Sequence, residues 1–203
     1  TDHVEEQRKW QYRIATLNVN AWSSFKDRLC EDKLTSELQD VSVILLQETK
    51  LSGEEALRDA TEYCKQKGWL AVFSAARAME SGKASGGVGI LVRDRANLGL
   101  TSVDHEYGDL EHRMVAARLA APGVGTHVLV SVYMESVSGL NETNRKVLAN
   151  LAILQEECQL PLLAGGDWNM EPSVLSKSDF TSRSNMQVIA PSSATCVTRT
   201  ASR

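Results

Sequence analysis

The sequence LPLLAGGDWN, residues 160–169, joins an apolar run to two glycines, an acid and an amide. The apolar run predicts a buried strand, so the polar residues that follow it lie at the end of that strand. Asp167 and Asn169 are two residues apart, and in an extended segment their side chains point to the same side. An acid and an amide therefore stand together at a strand end, and other parts of the chain must supply their partners.

Length and composition limit the class of protein. The 203 residues suit one domain, in which residues 1–10 form a polar arm. Hydrophobic residues make up 42% of the chain and charged residues 24%, which is ordinary for a soluble globular protein. There is no apolar run of about 20 residues and no apolar signal region at the start. We therefore expect an intracellular protein, in the nucleus or outside it, that is not secreted and has no membrane partner.

Cysteine content and charge argue against a zinc-binding protein and against a protein that binds nucleic acid non-specifically. The four cysteines are scattered and form no Cys-x-x-Cys pattern, which argues against a zinc site. The net charge is −4 and no basic run is present, which argues against tight non-specific binding of nucleic acid. An enzyme that holds one phosphodiester through a bound metal is compatible with this charge.

The order of the predicted elements favours two packed sheets. A doubly wound parallel sheet would alternate strands and helices more regularly than this chain does between residues 69 and 134. We therefore expect an α/β fold, a four-layer α/β sandwich of two packed mixed sheets flanked by helices. The expected strands lie at about 12–19, 41–49, 69–74, 99–107, 112–120, 127–134, 160–167 and 186–190, and a further strand follows a glycine-rich turn within 83–92 and ends near residue 92. The expected helices lie at about 24–39, 52–67 and 142–158.

Polar side chains end four of these strands: Asn18, Glu48, Tyr133, and Asp167 with Asn169. A carboxylate that follows a buried run is costly unless it is paired or bound to a metal. Carboxylates and amides without a His/Cys cluster indicate a hard, oxygen-preferring cation such as Mg²⁺. Taken singly, each polar residue is better explained as a turn or cap residue, and Tyr133 as an edge of the core. Taken together, they favour a site.

Six motifs resemble those of the exonuclease-endonuclease-phosphatase superfamily of magnesium-dependent phosphodiesterases, in the order of that family. TLNVNA resembles its opening asparagine motif, LLQETK its metal-glutamate motif, SGGVGILV its glycine-rich strand, and GGDWN its Gly-Asp-x-Asn motif. HRMVAARL and VSVYMESVSG resemble its middle strands. The resemblance covers about residues 13–170, which is most of the chain.

The resemblance implies a role for each matching residue. Glu48 is similar to the main metal ligand, with Asn18 beside it, and the implied cofactor is Mg²⁺, for which Mn²⁺ is a substitute. Asp167 matches the acid that orients or deprotonates the attacking water. Asn169 matches an amide that holds the scissile phosphate, and Tyr133 matches a tyrosine that contacts it. The implied reaction is in-line hydrolysis of a phosphodiester.

Three further residues are candidates for substrate binding. Arg113 lies on a middle strand, and Trp168 stands within GGDWN, where Phe or Leu is commoner in the family. Arg145 ends MESVSGLNETNR, residues 134–145, which is the loop we expect to face the substrate. A solvated helix start explains that loop equally well.

The chain departs from the family pattern at its C-terminal end. The family closes with an aspartate and a histidine in a Ser-Asp-His motif, whereas all histidines here precede GGDWN: His3, His105, His112 and His127. We therefore expect residues 1–203 to form one C-terminally incomplete domain. A larger polyprotein or a separate chain would supply the missing strands, and these 203 residues alone would be weakly active or inactive.

The resemblance favours a magnesium-dependent endonuclease that acts on nucleic acid, with DNA preferred over RNA. Excision from a retroelement polyprotein is compatible with this function. Two other functions stay open. One is an inactive family member that serves as a binding or assembly module. The other is a phosphatase of small or lipid phosphates, which the lack of an amphipathic membrane helix disfavours.

Overall fold

The computed structural model describes residues 13–30, 38–80, 82–94, 98–136 and 139–190. Its ten strands are β1 (Arg13–Asn18), β2 (Val41–Gln47), β3 (Trp69–Ser74), β4 (Arg77–Ala78), β5 (Ala84–Ser85), β6 (Val88–Arg93), β7 (Gly99–Ser102), β8 (Met114–Ala121), β9 (Gly125–Tyr133) and β10 (Leu162–Asp167). Its α-helices are α1 (Trp22–Phe25), α2 (Glu54–Gln66), α3 (Glu142–Cys158), α4 (Pro172–Ser176) and α5 (Asp179–Ser184). None of these helices is both long enough and apolar enough to cross a membrane.

Two mixed sheets of four strands form the centre of the fold. Their strand orders are β1-β2-β6-β3 and β10-β9-β8-β7, and β4 pairs with β5 in a separate ribbon. β1 runs parallel to β2 and β10 runs parallel to β9, whereas the other neighbours are antiparallel. The expected α/β sandwich of two packed mixed sheets is confirmed.

The core has three layers of apolar contacts, and β2 contributes to two of them. Val43 and Leu45 face the other sheet, whereas Ile44 and Leu46 face the cluster that includes α1 and α2. All four side chains are buried, as the continuous apolar run of this strand predicts. Burial of one such side chain contributes about 1.5–3 kcal/mol to folding. On the opposite outer face, α3 packs against the second sheet.

Gly166 in β10 is required for close approach to β9. A Cβ atom at this position would overlap the carbonyl oxygen of Val132, which is backbone and cannot swing away. We expect Gly166→Ala to lower the free energy of unfolding by about 1–3 kcal/mol. For a domain of this size that corresponds to a fall of about 2–12 °C in melting temperature, measured by circular dichroism.

Gly99→Ala is the matched control for this substitution. Gly99 also lies in a strand, but an added Cβ would meet only the Cβ of Ala120 at 3.5 Å, an ordinary contact. Equal melting temperatures for Gly166→Ala and Gly99→Ala would show that β10 and β9 are not held this close.

The prediction of one continuous helix over residues 24–39 is wrong for residues 24–30. The chain forms the short α1, which starts at Trp22, and then a 3-10 turn over Lys26–Leu29. Cys30 has extended backbone, with φ −69° and ψ 133°, so the helical segment ends there. The backbone N–H of Trp22 donates to the carbonyl oxygen of Thr49 at 2.7 Å, which fixes where the turn begins. Residues 31–37 of the expected helix lie outside the described residues.

Two strand predictions were also wrong in extent or type. The strand expected over 99–107 ends at Ser102, because the hydroxyl of Tyr107 accepts a hydrogen bond from Ala116 N at 2.9 Å. The bond to Tyr107 uses the backbone N–H of Ala116 in β8, which a longer β7 would need for pairing with β8. Residues 186–190, expected to be a strand, have no regular structure, and the side chain of Ile189 is 87% exposed. The helices α4 and α5 before them were not predicted.

Candidate active site

The two parallel strand pairs place the predicted polar residues at one edge of the sandwich. In the register of β1 and β2, Asn18 stands beside Gln47, the residue before Glu48. In the register of β9 and β10, Tyr133 stands beside Asp167. Because β1 packs against β10, these two pairs of strand ends meet.

A buried polar link joins the two sheets directly beneath this edge. Gln47 donates from Nε2 to the hydroxyl of Ser131 at 3.0 Å, and that hydroxyl donates to the carbonyl oxygen of Leu46 at 2.8 Å. Thr16 donates its hydroxyl proton to Oε1 of Gln47 at 3.1 Å. Since Gln47 and Ser131 are almost fully buried, these bonds fix the spacing of the sheets where the candidate site begins.

The centre of the site is an amide between two carboxylates. Asn18 Nδ2 donates to Glu48 Oε1 at 2.8 Å and to Asp167 Oδ2 at 2.9 Å. Asn18 Oδ1 faces away and accepts a bond from the backbone N–H of Asn20 at 3.1 Å. The hydroxyl of Tyr133 is hydrogen-bonded to Glu48. Two acids from different sheets are thus held close together by neutral donors.

The glycine pair of SGGVGILV holds the loop that carries Glu48. Glu48 and Lys50 have left-handed backbone, with φ values of 54° and 55°, which is unfavourable for side-chain-bearing residues. The backbone N–H groups of Thr49 and Lys50 donate to the carbonyl oxygens of Gly87 at 2.9 Å and Gly86 at 3.0 Å. A Cβ on Gly87 would come within 2.6 Å of the Thr49 hydroxyl, so this contact needs glycine.

Lys50 belongs to the site, although it was not predicted. Its Nζ donates to Asn20 Oδ1 at 2.6 Å and lies 3.7 Å from Glu48 Oε2. The positive charge partly balances the two carboxylates. The only signal in the sequence is its position two residues after Glu48, which in an ordinary strand would place it on the same side.

Asn169 follows Asp167 by two residues, and its side-chain amide already makes one hydrogen bond. It has left-handed backbone, with φ 47°, and its Nδ2 donates to the carbonyl oxygen of Met134 at 2.8 Å. Met134 N in turn donates to the carbonyl oxygen of Asp167 at 2.9 Å. Within the described ranges, the second N–H of this amide is left for a ligand. The adjacent Trp168 is half-buried and packs against the outer core with α3.

Arg113 reaches the site, whereas Arg145 does not join it. The guanidinium of Arg113 lies 5.7 Å from the ring centre of Tyr133 and donates from Nη2 to Glu135 Oε1 at 2.8 Å. Its Nε and Nη1 are buried and have no partner among the described residues. Arg145 is exposed on α3, and its Nε donates to the carbonyl oxygen of Leu140 at 2.9 Å.

The raised pKa of Tyr133 keeps its phenol a hydrogen-bond donor, and His105 and His127 lie away from the two carboxylates. Burial, followed by the nearby charge of Glu48, raises the pKa of Tyr133 to about 12, so the phenol stays protonated at neutral pH. Burial also lowers the pKa of His112. His105 is bound to Glu157 at 2.8 Å, and His127 lies in the first half of β9, far along the strand from Tyr133.

The donor set fits a hard divalent cation better than zinc. Within the described ranges no group of three His, Cys, Asp or Glu side chains stands ready to hold a metal. Mg²⁺ needs only one or two carboxylates and fills its other positions with waters and phosphate oxygens. Glu48 and Asp167 meet that requirement. In the present geometry Asn18 presents its amide nitrogen to both acids, so its role as a metal ligand stays a prediction.

Sequence comparison identifies the family. The profile of the endonuclease/exonuclease/phosphatase family matches residues 15–202, and the chain belongs to this family. The family consists of metal-dependent hydrolases that act as phosphodiesterases and phosphatases, so the predicted class of enzyme is confirmed. A search among curated proteins found no significant sequence match.

Solved structures with the same fold are distant in sequence. Humanized D. rerio TDP2 carrying 14 mutations has a TM-score of 0.50 and 14% identity, with 81% of this chain covered and 69% of that chain. ANGEL2, a 2′,3′-cyclic phosphatase, has a TM-score of 0.46 and 13% identity. The match covers 78% of this chain but only 52% of ANGEL2, so the chain spans about half of that protein's length.

Proposed function

We propose that this chain is a magnesium-dependent endonuclease that hydrolyses phosphodiester bonds in nucleic acid, with DNA as the preferred substrate. The observation that carries the proposal is the bridge from Asn18 to Glu48 and Asp167 at the ends of three strands. This pair of oxygen ligands, beside neutral donors and a cation, is the arrangement that a phosphate ester and a hard metal ion require.

Each residue of the site has a part in the proposed reaction. Glu48 would hold Mg²⁺ or its substitute Mn²⁺, and such an ion when bound polarises a phosphoryl oxygen and stabilises the leaving oxygen. Asp167 accepts the proton of the attacking water. The free N–H of Asn169 and the phenol of Tyr133 donate to phosphate oxygens, where charge increases in the transition state.

Arg113 supplies a charged phosphate donor near Asn169 and Tyr133. Its buried Nε and Nη1 lack partners among the described residues, and an unsatisfied buried guanidinium donor is costly. A guanidinium donor forms strong, charge-assisted hydrogen bonds to phosphate oxygens. A phosphate oxygen bonded to one of these two donors would reduce that cost without breaking the bond from Nη2 to Glu135.

We further propose that another segment completes the site, from the same polyprotein or from a separate chain. β1 and β10 each have one strand neighbour among the described residues, and both end at the site. The other edge of each strand has no partner strand among the described residues, and an added strand can bond to the backbone groups of such an edge. The aspartate and histidine that the family pattern requires would enter on such a strand, and a retroelement polyprotein is one setting that would provide it.

A substrate panel tests the proposed function. The chain continued to the end of its reading frame is incubated, at one protein concentration in Mg²⁺, with supercoiled DNA, an RNA oligonucleotide, an inositol phosphate and a nucleoside monophosphate. We expect strand cleavage of DNA in preference to RNA and no release of inorganic phosphate. Release of phosphate from the monoesters without strand cleavage would favour the phosphatase. No reaction from a folded chain that binds nucleic acid would favour the binding module.

The substitution Tyr133→Phe tests whether the hydroxyl of Tyr133 acts as a hydrogen-bond donor or as a general base. Because the pKa of Tyr133 is about 12, the phenol remains protonated from pH 6 to pH 10, and removal of its hydroxyl costs one hydrogen bond over that whole range. We expect hydrolysis of DNA to fall by about 10²-fold, with a constant ratio of wild-type to variant rates between pH 6 and pH 9. A ratio that rises tenfold per pH unit would instead assign the phenolate a role as base.

A further inference from the structure

A groove of about 550 Å³ lies between α3 and the segment that contains α4 and α5. Its apolar wall is formed by Leu140, Leu148, Ala149, Ala152 and Phe180. The volume falls within the range of about 300–1,000 Å³ that is usual for ligand clefts. Ala149 and Ala152 add little bulk to this wall, and the half-buried Phe180 adds an aromatic ring to it.

The rim of this groove is positively charged. Arg145, Lys177 and Arg183 line it, with Asp179 as the one acid. Arg183 pairs with Asp179 only loosely, at 3.9 Å and with both side chains more than 80% exposed. Among the described residues, the guanidinium of Arg145 makes one hydrogen bond, from Nε to the carbonyl oxygen of Leu140. On a chain whose net charge is −4, this concentration of cations is complementary to a polyanion.

A short series of hydrogen bonds links the groove to the carboxylate pair. Asn169 is bonded to Met134 O at 2.8 Å, and the next residue, Glu135, donates its backbone N–H to Asn144 Oδ1 at 2.9 Å. Asn144 is adjacent in sequence to Arg145. On the other side, α4 begins at Pro172, three residues after Asn169. Both sides of the groove are thus connected to the segment that carries Asp167 and Asn169, α3 through these hydrogen bonds and the α4–α5 segment through the chain itself.

We propose that this groove binds a single-stranded nucleotide segment that flanks the scissile phosphate, an inference that rests on the proposed function. The rim cations neutralise backbone phosphates, and Phe180 provides a surface on which one base stacks. This combination of a cationic groove with an aromatic platform is how proteins bind single strands without sequence preference. We expect these rim cations to supply a large part of the electrostatic contribution to affinity.

Equilibrium binding tests this proposal without turnover. Fluorescence anisotropy of a fluorescein-labelled oligothymidine is measured in EDTA over a series of salt concentrations. We expect the double variant Lys177→Glu/Arg183→Glu to bind at least tenfold more weakly than wild type. The dependence of log K on log salt should become shallower by about 1.4, because about 0.7 is lost for each phosphate contact to a single strand.

A second double variant controls for net charge. Arg58→Glu/Lys65→Glu makes the same four-unit change on α2, which covers the other sheet, and should bind within about twofold of wild type. Phe180→Leu keeps an apolar side chain against the core but removes the ring, and should weaken binding by about fivefold or more. Thermal unfolding of every variant establishes that it is folded.

Three results would overturn the proposal. They are undetectable oligonucleotide binding by wild type, equal binding by the groove and control double variants, and a groove that binds an acidic peptide but no oligonucleotide. The last result would assign the surface to an acidic protein partner.

Hydrolysis of bis(p-nitrophenyl) phosphate by wild type and by Glu48→Gln reports on the catalytic site alone. If that diester is cleaved but the groove variants bind the oligonucleotide normally, only the groove inference fails. If the chain continued to the end of its reading frame does not cleave the diester, but the groove variants weaken oligonucleotide binding as expected, only the proposed function fails.

Discussion

Glu48→Gln is expected to remove the rise in melting temperature that Mg²⁺ produces in the wild-type chain. A ligand that binds only the folded state stabilises it in proportion to the logarithm of its concentration, and Glu48 is the acid placed best to bind the ion. The substitution keeps the size of the side chain but removes its charge. Phosphodiester hydrolysis should fall by about 10³-fold or more, because the site acts as a unit.

Glu55→Gln is the matched control for this experiment. Glu55 is exposed in the first turn of α2, so the same chemical change is made away from the site. It should leave both the Mg²⁺-dependent stabilisation and the hydrolysis unchanged. An equal response to Mg²⁺ in Glu48→Gln and in wild type would place the ion elsewhere.

Asp167→Asn is expected to have an effect of similar size on hydrolysis but a different effect on metal binding. It removes the proposed proton acceptor, so hydrolysis of DNA in saturating Mg²⁺ should fall by about 10³-fold or more. Because Glu48 remains, higher concentrations of Mg²⁺ should still stabilise the variant in a thermal shift assay. This separation of binding from turnover distinguishes Asp167 from Glu48.

Asp109→Asn serves as the control for Asp167→Asn, since Asp109 is exposed in the 3-10 turn Gly108–Leu110. Its hydrolysis should equal that of wild type. If Asp167→Asn retains more than a tenth of wild-type hydrolysis in saturating Mg²⁺, Asp167 is not the group that activates the water.

The strand ends of the site were predictable because apolar runs mark where strands stop. The run VSVILLQ ends at Gln47 and the run LPLLAGGD ends at Asp167, so the polar residues there had to emerge at sheet edges. The resemblance to a family then indicated that Asn18, Glu48 and Asp167, which are distant in sequence, belong to one site. The two mixed sheets followed from the irregular order of strands and helices.

Other features depend on contacts that no sequence pattern encodes. The bond between Tyr107 and Ala116 shortens β7, and the choice of Glu135 as the partner of Arg113 is visible only in three dimensions. Lys50 enters the site because of a left-handed backbone at two positions. The short helix α4 had a weak signal, a proline at its first position, which the serine-rich composition around it obscured.

Nicking of supercoiled plasmid in Mg²⁺ tests the central claim most directly. The 203-residue chain is compared with the same chain continued to the end of its reading frame, and with the continued chain carrying Glu48→Gln. We predict nicking by the continued wild-type chain, weak or no nicking by the 203 residues, and none above background with Glu48→Gln. A folded continued chain that nicks no nucleic acid, or one that nicks equally well with Glu48→Gln, would contradict a metal-dependent endonuclease centred on Glu48 and Asp167.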